Sequence, residues 1–138
     1  MNNYYNYGFN SNNNQNNTLN KKIDNTNPSV GFERGNLFDN LYEPYKNYKP
    51  VDLNPKTEKE YLMYQVQMYS FALNDLNLYL DINPNDTEMI NLRSRFLKEY
   101  QDVFNQYETK YGALGVNSNV LNKTPWGWDS AFPWEVNN

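Results

Sequence analysis

The sequence predicts a mainly α protein. Its predicted core is an antiparallel two-helix hairpin, between a disordered N-terminal arm rich in Asn and Tyr and an irregular C-terminal tail rich in Trp. Two observations predict this fold class. Apolar residues recur with helical spacing over residues 57–112, interrupted by one short corner that contains a proline. Elsewhere the chain is polar or broken by Pro and Gly, and its mean hydropathy is −0.97.

The arm, residues 1–30, has ten Asn in its first twenty positions, together with Tyr4, Tyr5 and Tyr7. Polar–aromatic tracts of this kind are disordered alone, but they can associate through Asn ladders and stacked rings. Two interpretations therefore stay open. The arm is either compositional drift in an AT-rich genome, or a self-assembly element whose tyrosines are oxidative cross-linking points.

The next segment, residues 31–56, combines recurring aromatic residues with prolines at positions 44, 50 and 55. These prolines exclude a long helix. We predict a short helical turn around Asn36–Tyr42, followed by extended chain. Such a segment would expose much apolar surface alone, so we expect it to lie on a partner or on the following helix.

The first long helix is predicted over residues 57–82. Thr57 and Glu60 form the T-x-x-E pattern of a capping box. After it, apolar residues alternate at spacings of four and three, which predicts a buried seam. The seam residues are Leu62, Val66, Tyr69, Leu73, Leu76 and Leu80.

The second long helix is predicted from a cap at Asn83, with Pro84 at the first helical position, to Tyr111. Gly112 then suits a left-handed C-cap. The short corner makes the two helices antiparallel neighbours. A seam faces the first helix and a flanking row lies beside it. The seam is Met89, Phe96, Tyr100, Val103 and Tyr107, and the flanking row is Ile90, Leu97, Phe104 and Tyr111.

The flanking row needs a cover, because a hairpin of this size rarely supplies more than about 3–5 kcal/mol of stability from its own core. Three covers are open: a second hairpin in a homo-oligomer, another protein, or the chain's own tail.

The tail, residues 113–138, contains the stretch "TPWGWDSAFPWE" and all three tryptophans. Its prolines reduce the entropy lost when the tail is ordered, and Trp is enriched at interface hot spots. Partner binding is therefore one interpretation, and packing on the chain's own hairpin is the other. The candidate partner-binding residues are Trp126, Trp128, Trp134 and Phe132 of the tail, with Ile90, Leu97, Phe104 and Tyr111 of the flanking row.

The composition excludes several kinds of site. The chain has no Cys and no His, which removes disulfides, thiolate nucleophiles, His-containing triads and the usual zinc and di-metal sites. We predict no catalytic, cofactor-binding or metal-binding residues and no enzymatic activity. An enzyme that uses carboxylates alone is the remaining alternative, but acidic residues such as Asp75 and Glu108 are expected on solvated faces or at caps.

Charge and hydropathy argue against two kinds of partner. The net charge is −4 and no basic cluster exceeds Lys21–Lys22, so nucleic-acid binding lacks its electrostatic basis. No apolar run is long enough to span a bilayer, and no secretory signal is present. We expect synthesis in the cytoplasm and no membrane association.

The corner "LYLDINPND", residues 78–86, is similar to that of a tetratricopeptide helix pair. A stable solenoid needs at least three such units, and only one is present. A tetratricopeptide-like interaction module is therefore kept only as an alternative interpretation.

Three pieces of sequence occur in order over Glu58–Glu135: "FALNDLNLYLDINPND" (71–86), "YETKYGAL" (107–114) and "TPWGWDSAFPWE" (124–135). In this order and spacing they resemble the CotJB family of bacterial spore-coat proteins, with residues 57–138 as the CotJB-like domain. Residues 33–48, "ERGNLFDNLYEPYKNY", resemble a segment of a different small coat protein, CotJA.

The resemblance implies a structural role in the endospore coat. The chain would be made in the cytoplasm of the mother cell and deposited in the coat, without a cofactor. The family is associated with a coat protein similar to manganese catalase, which implies an adaptor or scaffold beside that protein and other coat proteins. The alternative is a self-assembling Tyr/Asn-rich structural protein.

Overall fold

The computed structural model describes residues 27–129, apart from residues 42, 44 and 51 and the side chains of Asn40 and Asp129. Most of the predicted arm, and the end of the tail with Phe132 and Trp134, lie outside the described residues. Within them the protein is α-helical, without strands, and the two long helices pack antiparallel, as predicted. The helices are α1 (Ser29–Arg34), α2 (Glu58–Ile82) and α3 (Thr87–Tyr111), with 3-10 turns at Asp39–Leu41, Asn119–Leu121 and Gly127–Asp129.

The capping box starts α2 as predicted. The Thr57 hydroxyl accepts the N–H of Glu60 at 3.2 Å, and the Glu60 carboxylate accepts the N–H of Thr57 at 3.2 Å. The same carboxylate also accepts the N–H of Lys56 at 2.6 Å. Three backbone donors at the helix start therefore have local partners, and the helix begins where the sequence pattern begins.

The start of α3 differs from the prediction by three residues. Asp86, not Asn83, is the N-cap: its carboxylate accepts the N–H of Met89 at 3.2 Å and the hydroxyl of Tyr79 at 2.9 Å. Asn83 instead closes α2, since its backbone and side-chain N–H groups both donate to the Tyr79 carbonyl at 3.0 Å. Pro84 therefore lies in the corner, not at the first helical position. A charged cap at the positive helix end prevails over a neutral one already engaged elsewhere.

Gly112 ends α3 with φ 106° and ψ 174°. The positive φ that favours Gly is present, but the ψ value is extended and not that of the predicted left-handed cap. This extended conformation returns the chain to α3, where Leu114 donates its N–H to the Glu108 carboxylate at 2.8 Å.

The contact between α2 and α3 forms the centre of the core. The rings of Tyr69 and Phe96 meet there at 5.7 Å between centroids. Of the predicted seam, Leu80 and Tyr100 are half-buried at its margin. The buried seam residues are Leu62, Val66, Tyr69, Leu73 and Leu76 on α2, with Met89, Phe96, Val103 and Tyr107 on α3; Met68, Ala72 and Leu92 are buried beside them.

Residues 28–41 lie on α2, which is one of the two positions expected for this segment. The ring of Phe32, on α1, packs edge-on against Tyr64 and Phe71 at centroid distances of 5.4 and 5.7 Å. The sequence pattern misses α1, which begins at Ser29 inside the range assigned to the arm, because six residues carry no apolar periodicity. Gly31 permits the close return of the chain, since a Cβ there would lie 2.9 Å from the Cα of Leu37.

Leu37 and Phe38 attach this segment to the C-terminal third of α2. Both side chains are buried, and the Phe38 ring stacks on Tyr79 at 4.9 Å. The N–H of Leu37 donates to the Asp75 carboxylate at 2.8 Å. Asp75 was expected on a solvated face, but residues 28–41, which fold back onto α2, cover it. Its desolvation raises the pKa of the carboxyl group, and the hydrogen bond from Leu37 offsets only part of that effect.

We expect Asp75→Asn to raise the free energy of unfolding at pH 7. The folded pKa of Asp75 lies above its ordinary value of 3.8, so its ionisation destabilises the folded chain as pH rises through that folded pKa. Asparagine keeps an acceptor for Leu37 without the charge. The advantage of the variant should therefore shrink as pH falls towards 3.8, as measured by urea unfolding at several pH values.

Asp81→Asn, at an exposed position of the same helix, is the control and should change little. A stability difference between Asp75→Asn and the parent that does not depend on pH would contradict the prediction.

Candidate partner-binding site

The tail is fixed to α3 by a buried carboxylate. Glu108 is 7 % exposed and accepts the N–H of Leu114 at 2.8 Å and the hydroxyl of Ser118 at 2.6 Å. Both oxygens of the carboxylate are thereby hydrogen-bonded, which offsets the cost of burying it. The expectation that Glu108 lies on a solvated face was wrong, because the start of the tail folds back onto α3 and covers this side chain.

Beyond Ser118 the tail folds on itself in two 3-10 turns. The Ser118 hydroxyl accepts the N–H of Val120 at 3.3 Å and so caps the first turn. Leu121 is 3 % exposed. The second turn packs against the first, since a Cβ at Gly127 would lie 3.5 Å from the Leu121 side chain and 3.3 Å from that of Lys123. The base of the tail is therefore an ordered platform.

Two of the predicted aromatic residues lie on the surface of this platform. Trp126 is 57 % exposed and Trp128 is 37 % exposed. Tryptophan side chains this exposed are unusual, because each carries a large apolar surface that is normally buried. The other two predicted tail residues, Phe132 and Trp134, lie outside the described residues.

The flanking row of α3 is not a bare stripe. Leu97, Phe104 and Tyr111 are half-buried and pack against the core, while Ile90 is 43 % exposed. Ile90 lies at the start of α3, and the tail begins at the other end of this helix. Roughly 30 Å of helix therefore separates Ile90 from the point where the tail begins.

Polar contacts tie the C-terminal end of α3 to the start of α2. Glu58 forms an ion pair with Lys110 and accepts the hydroxyl of Tyr111 at 2.9 Å. The hydrogen bond from Lys110, followed by that from Tyr111, lowers the pKa of the Glu58 carboxyl group. These contacts are solvent-exposed, so they add little stability.

A groove of about 490 Å³ lies at the same end of the hairpin, between the extended residues 53–55 and α2. Its walls include Leu53, Pro55 and Met63, and Tyr107 of α3 also lines it. Tyr64 is a further lining residue; burial and its hydrogen bond to Glu33 raise its pKa to about 12. Sequence reasoning missed this groove, because it forms only when residues distant in the chain come together.

The described residues contain no group of three or more His, Cys, Asp or Glu side chains placed to hold a metal ion. Over the same residues, no helix is long and apolar enough to cross a membrane.

The sequence profile of one protein family, described as "CotJB protein", matches residues 60–135, which is more than half of the chain. The chain belongs to the CotJB family. CotJB membership makes it a spore-coat protein. The CotJB region comprises nearly all of α2, the whole of α3 and the tail through its three tryptophans. No curated protein and no solved structure matches the chain.

The N-terminal boundary of the CotJB region, at residue 60, leaves out parts of the chain that contribute to the fold. It excludes residues 28–41, which cover α2, and residues 53–55, which form one wall of the groove. It also leaves out residues 33–48, so the match lends no support to a CotJA-like segment there. The segment that completes the helical core on the α2 side is thus supplied from outside the CotJB region.

We expect Glu108→Ala to release the base of the tail. Leu114 and Ser118 would lose their acceptor, at a cost of about 1–3 kcal/mol for donors left without a partner. Amide hydrogen exchange should become faster at Leu114 and through residues 118–121, while the central turns of α3 keep their protection.

Glu99→Ala, at an exposed position of the same helix, is the matched control and should leave exchange in the tail unchanged. If both variants show the same protection at Leu114, Glu108 does not hold the tail.

Proposed function

We propose that this CotJB protein is a non-enzymatic adaptor or scaffold in the spore coat, and that it binds a coat protein similar to manganese catalase through its tail. The observation that carries the proposal is the exposure of Trp126 and Trp128 on a base that is already fixed to the hairpin. The family supplies the spore-coat setting. The catalase-like partner comes from the resemblance alone.

The energetics of the tail suit a docking surface. A buried Trp removes about 150–250 Å² from water, so covering the exposed half of Trp126 is worth about 3 kcal/mol at 25 cal/mol per Å². Gains of this size are typical of interface hot spots. Because Glu108 and Leu121 already order the base of the tail, less conformational entropy is lost on binding.

The chain is proposed to position its partner, not to share its chemistry. A di-manganese site needs histidine ligands, and the chain has none. The resemblance of residues 33–48 to CotJA belongs to the same proposal: a CotJA-like segment fused to a CotJB region would cover α2 in the way that Leu37 and Phe38 do.

Self-assembly is a second candidate function, and a different surface favours it. Leu78, Ile82 and Ile90 are 58 %, 82 % and 43 % exposed, and all three lie at the corner end of the hairpin, opposite the end from which the tail leaves. Exposed apolar side chains of this kind would suit contact between copies of the chain in a homo-oligomer.

The test is co-expression with the manganese-catalase-like coat protein of the same cell, followed by size exclusion with light scattering. The parent chain should elute in a joint peak. A double variant, Trp126→Ala with Trp128→Ala, should lose at least about tenfold in affinity, since two hot-spot side chains are removed.

The control is Tyr45→Ala with Tyr48→Ala, which removes two aromatic side chains that are 73 % and 54 % exposed elsewhere. It should leave the joint peak intact. Full retention of the complex by the tryptophan variant, with helix content unchanged, would exclude the tail as the docking surface. Separate peaks for the parent proteins, with this chain forming its own oligomer, would favour the scaffold.

A further inference from the structure

Residues 28–41 lie on α2 in the way that a bound peptide lies on its receptor. They follow the helix toward its C-terminal end, from the ring of Phe32 beside Tyr64 to the ring of Phe38 stacked on Tyr79. The segment lies outside the CotJB region. The family fold therefore provides a surface on α2, and a separate part of this chain fills it.

A solvent-exposed connecting segment, residues 42–56, joins this bound segment to the start of α2. Each described residue from Glu43 to Asn54 is exposed. The connection returns from the neighbourhood of Tyr79 to Thr57, a distance of about 33 Å along the helix. Fully extended, its fifteen residues reach about 50 Å. The tether is therefore long enough to place the bound segment on the α2 of a neighbouring copy.

Exposed apolar side chains lie beside the place where the bound segment ends. Leu78 follows Asp75 by three positions and Ile82 follows Tyr79 by three, so these four side chains share one face of α2. Leu78 and Leu41 are each 58 % exposed, and Ile82 is 82 % exposed. A single chain leaves this apolar surface in water, whereas a second copy held next to it would cover part of it.

We propose that residues 28–41 exchange between copies of this protein, so that the segment of each copy lies on the α2 of the other in a two-fold dimer. The closed and exchanged forms make the same contacts with α2, which makes domain swapping a low-cost route to a dimer. Exchange is independent of the adaptor proposal. It rests on the second candidate function, self-assembly, for which it supplies the mechanism.

An antiparallel arrangement of the two α2 helices suits this exchange. The C-terminal end of one helix then lies beside the start of the other, so the connecting segment spans a shorter distance than it does within one chain. Leu78 and Ile82 also come to lie between the two copies, where their exposed apolar surface is covered. The dimer therefore gains contacts that the closed monomer lacks.

Protein concentration decides between the two forms. A short flexible tether presents its own segment at an effective concentration of millimolar order. A chain of 16.4 kDa reaches about 1 mM at about 16 mg/mL. Dilute solution therefore favours the closed monomer, whereas a packed layer of protein such as the spore coat favours exchange.

The first test shortens the connecting segment. Deletion of residues 43–52 leaves five residues between Leu41 and Thr57, with a reach of about 20 Å, which is too short for about 33 Å of helix. Closure within one chain is then impossible, so the deletion variant should elute as a dimer at about 10 µM, where the parent should be a monomer.

The matched control replaces residues 43–52 with ten Gly and Ser residues, which removes the same side chains but keeps the length. This control should remain a monomer. A monomeric deletion variant would overturn the proposal. A dimeric control would also overturn it, because the length of the connection would then not be the cause of dimerisation.

The second test identifies whose segment lies on α2 when the connection has its natural length. A photo-reactive phenylalanine analogue replaces Phe32, whose ring contacts Tyr64 and Phe71. Equal amounts of light and heavy isotopic chains are incubated at about 2 mM, in urea below the unfolding midpoint, and irradiated at that concentration. Peptide mapping should find that about half of the exchanged cross-links to residues 64–71 join the two isotopes.

The same mixture at about 10 µM is the control, and its cross-links should stay within one chain. Cross-links confined to single chains at both concentrations would overturn exchange. A dimer that shows only such cross-links would still be compatible with self-assembly through Leu78, Ile82 and Ile90, so failure of exchange and failure of the second candidate function are distinguishable.

Discussion

Two helices packed side by side cannot cover all of their own apolar surface, and this constraint governs the rest of the structure. The contact between α2 and α3 buries a central seam, but each helix has further apolar residues beside it. The chain covers them by returning at both ends. Residues 28–41 bring Leu37 and Phe38 onto α2, and the start of the tail brings Leu114 against the core at α3. Stability therefore depends on segments that have no helical periodicity of their own.

Each returning segment is held in the same way. Asp75 on α2 accepts the N–H of Leu37, and Glu108 on α3 accepts the N–H of Leu114. A carboxylate bonded to a backbone N–H fixes the path of the chain, whatever side chain follows, and the bond gains strength where water is excluded. Burying the charge has a cost, and at Asp75 that cost appears as a raised pKa. At Glu108 a second donor, Ser118, satisfies the other oxygen.

The parts of the fold that local sequence could predict are those that local physics determines. The capping box at Thr57 and the apolar spacing of the two long helices each depend on residues within a few positions of one another. The predicted cap of α3 lies three residues too early, because Asn83 and Asp86 are both good caps. The charge of Asp86 and the engagement of Asn83 with the Tyr79 carbonyl together decide between them. The burial of Asp75 could not be predicted, since its partner Leu37 lies 38 positions away. The groove beside Tyr107 depends on similarly distant contacts. Trp126 and Trp128 stand out from the composition of the tail, whereas their exposure could be read only from the structure.

The account's central claim is that the hairpin and its two returning segments form one cooperative unit, from which the aromatic tail is displayed. Amide hydrogen exchange of the full-length chain, followed by mass spectrometry of peptides, tests this most directly. The account predicts that residues 31–41 and 114–121 are protected and lose protection together with α2 and α3 as denaturant is added, because they share one core. Exchange of these two segments at the rate of an unfolded chain, while the two long helices stay protected, would contradict it.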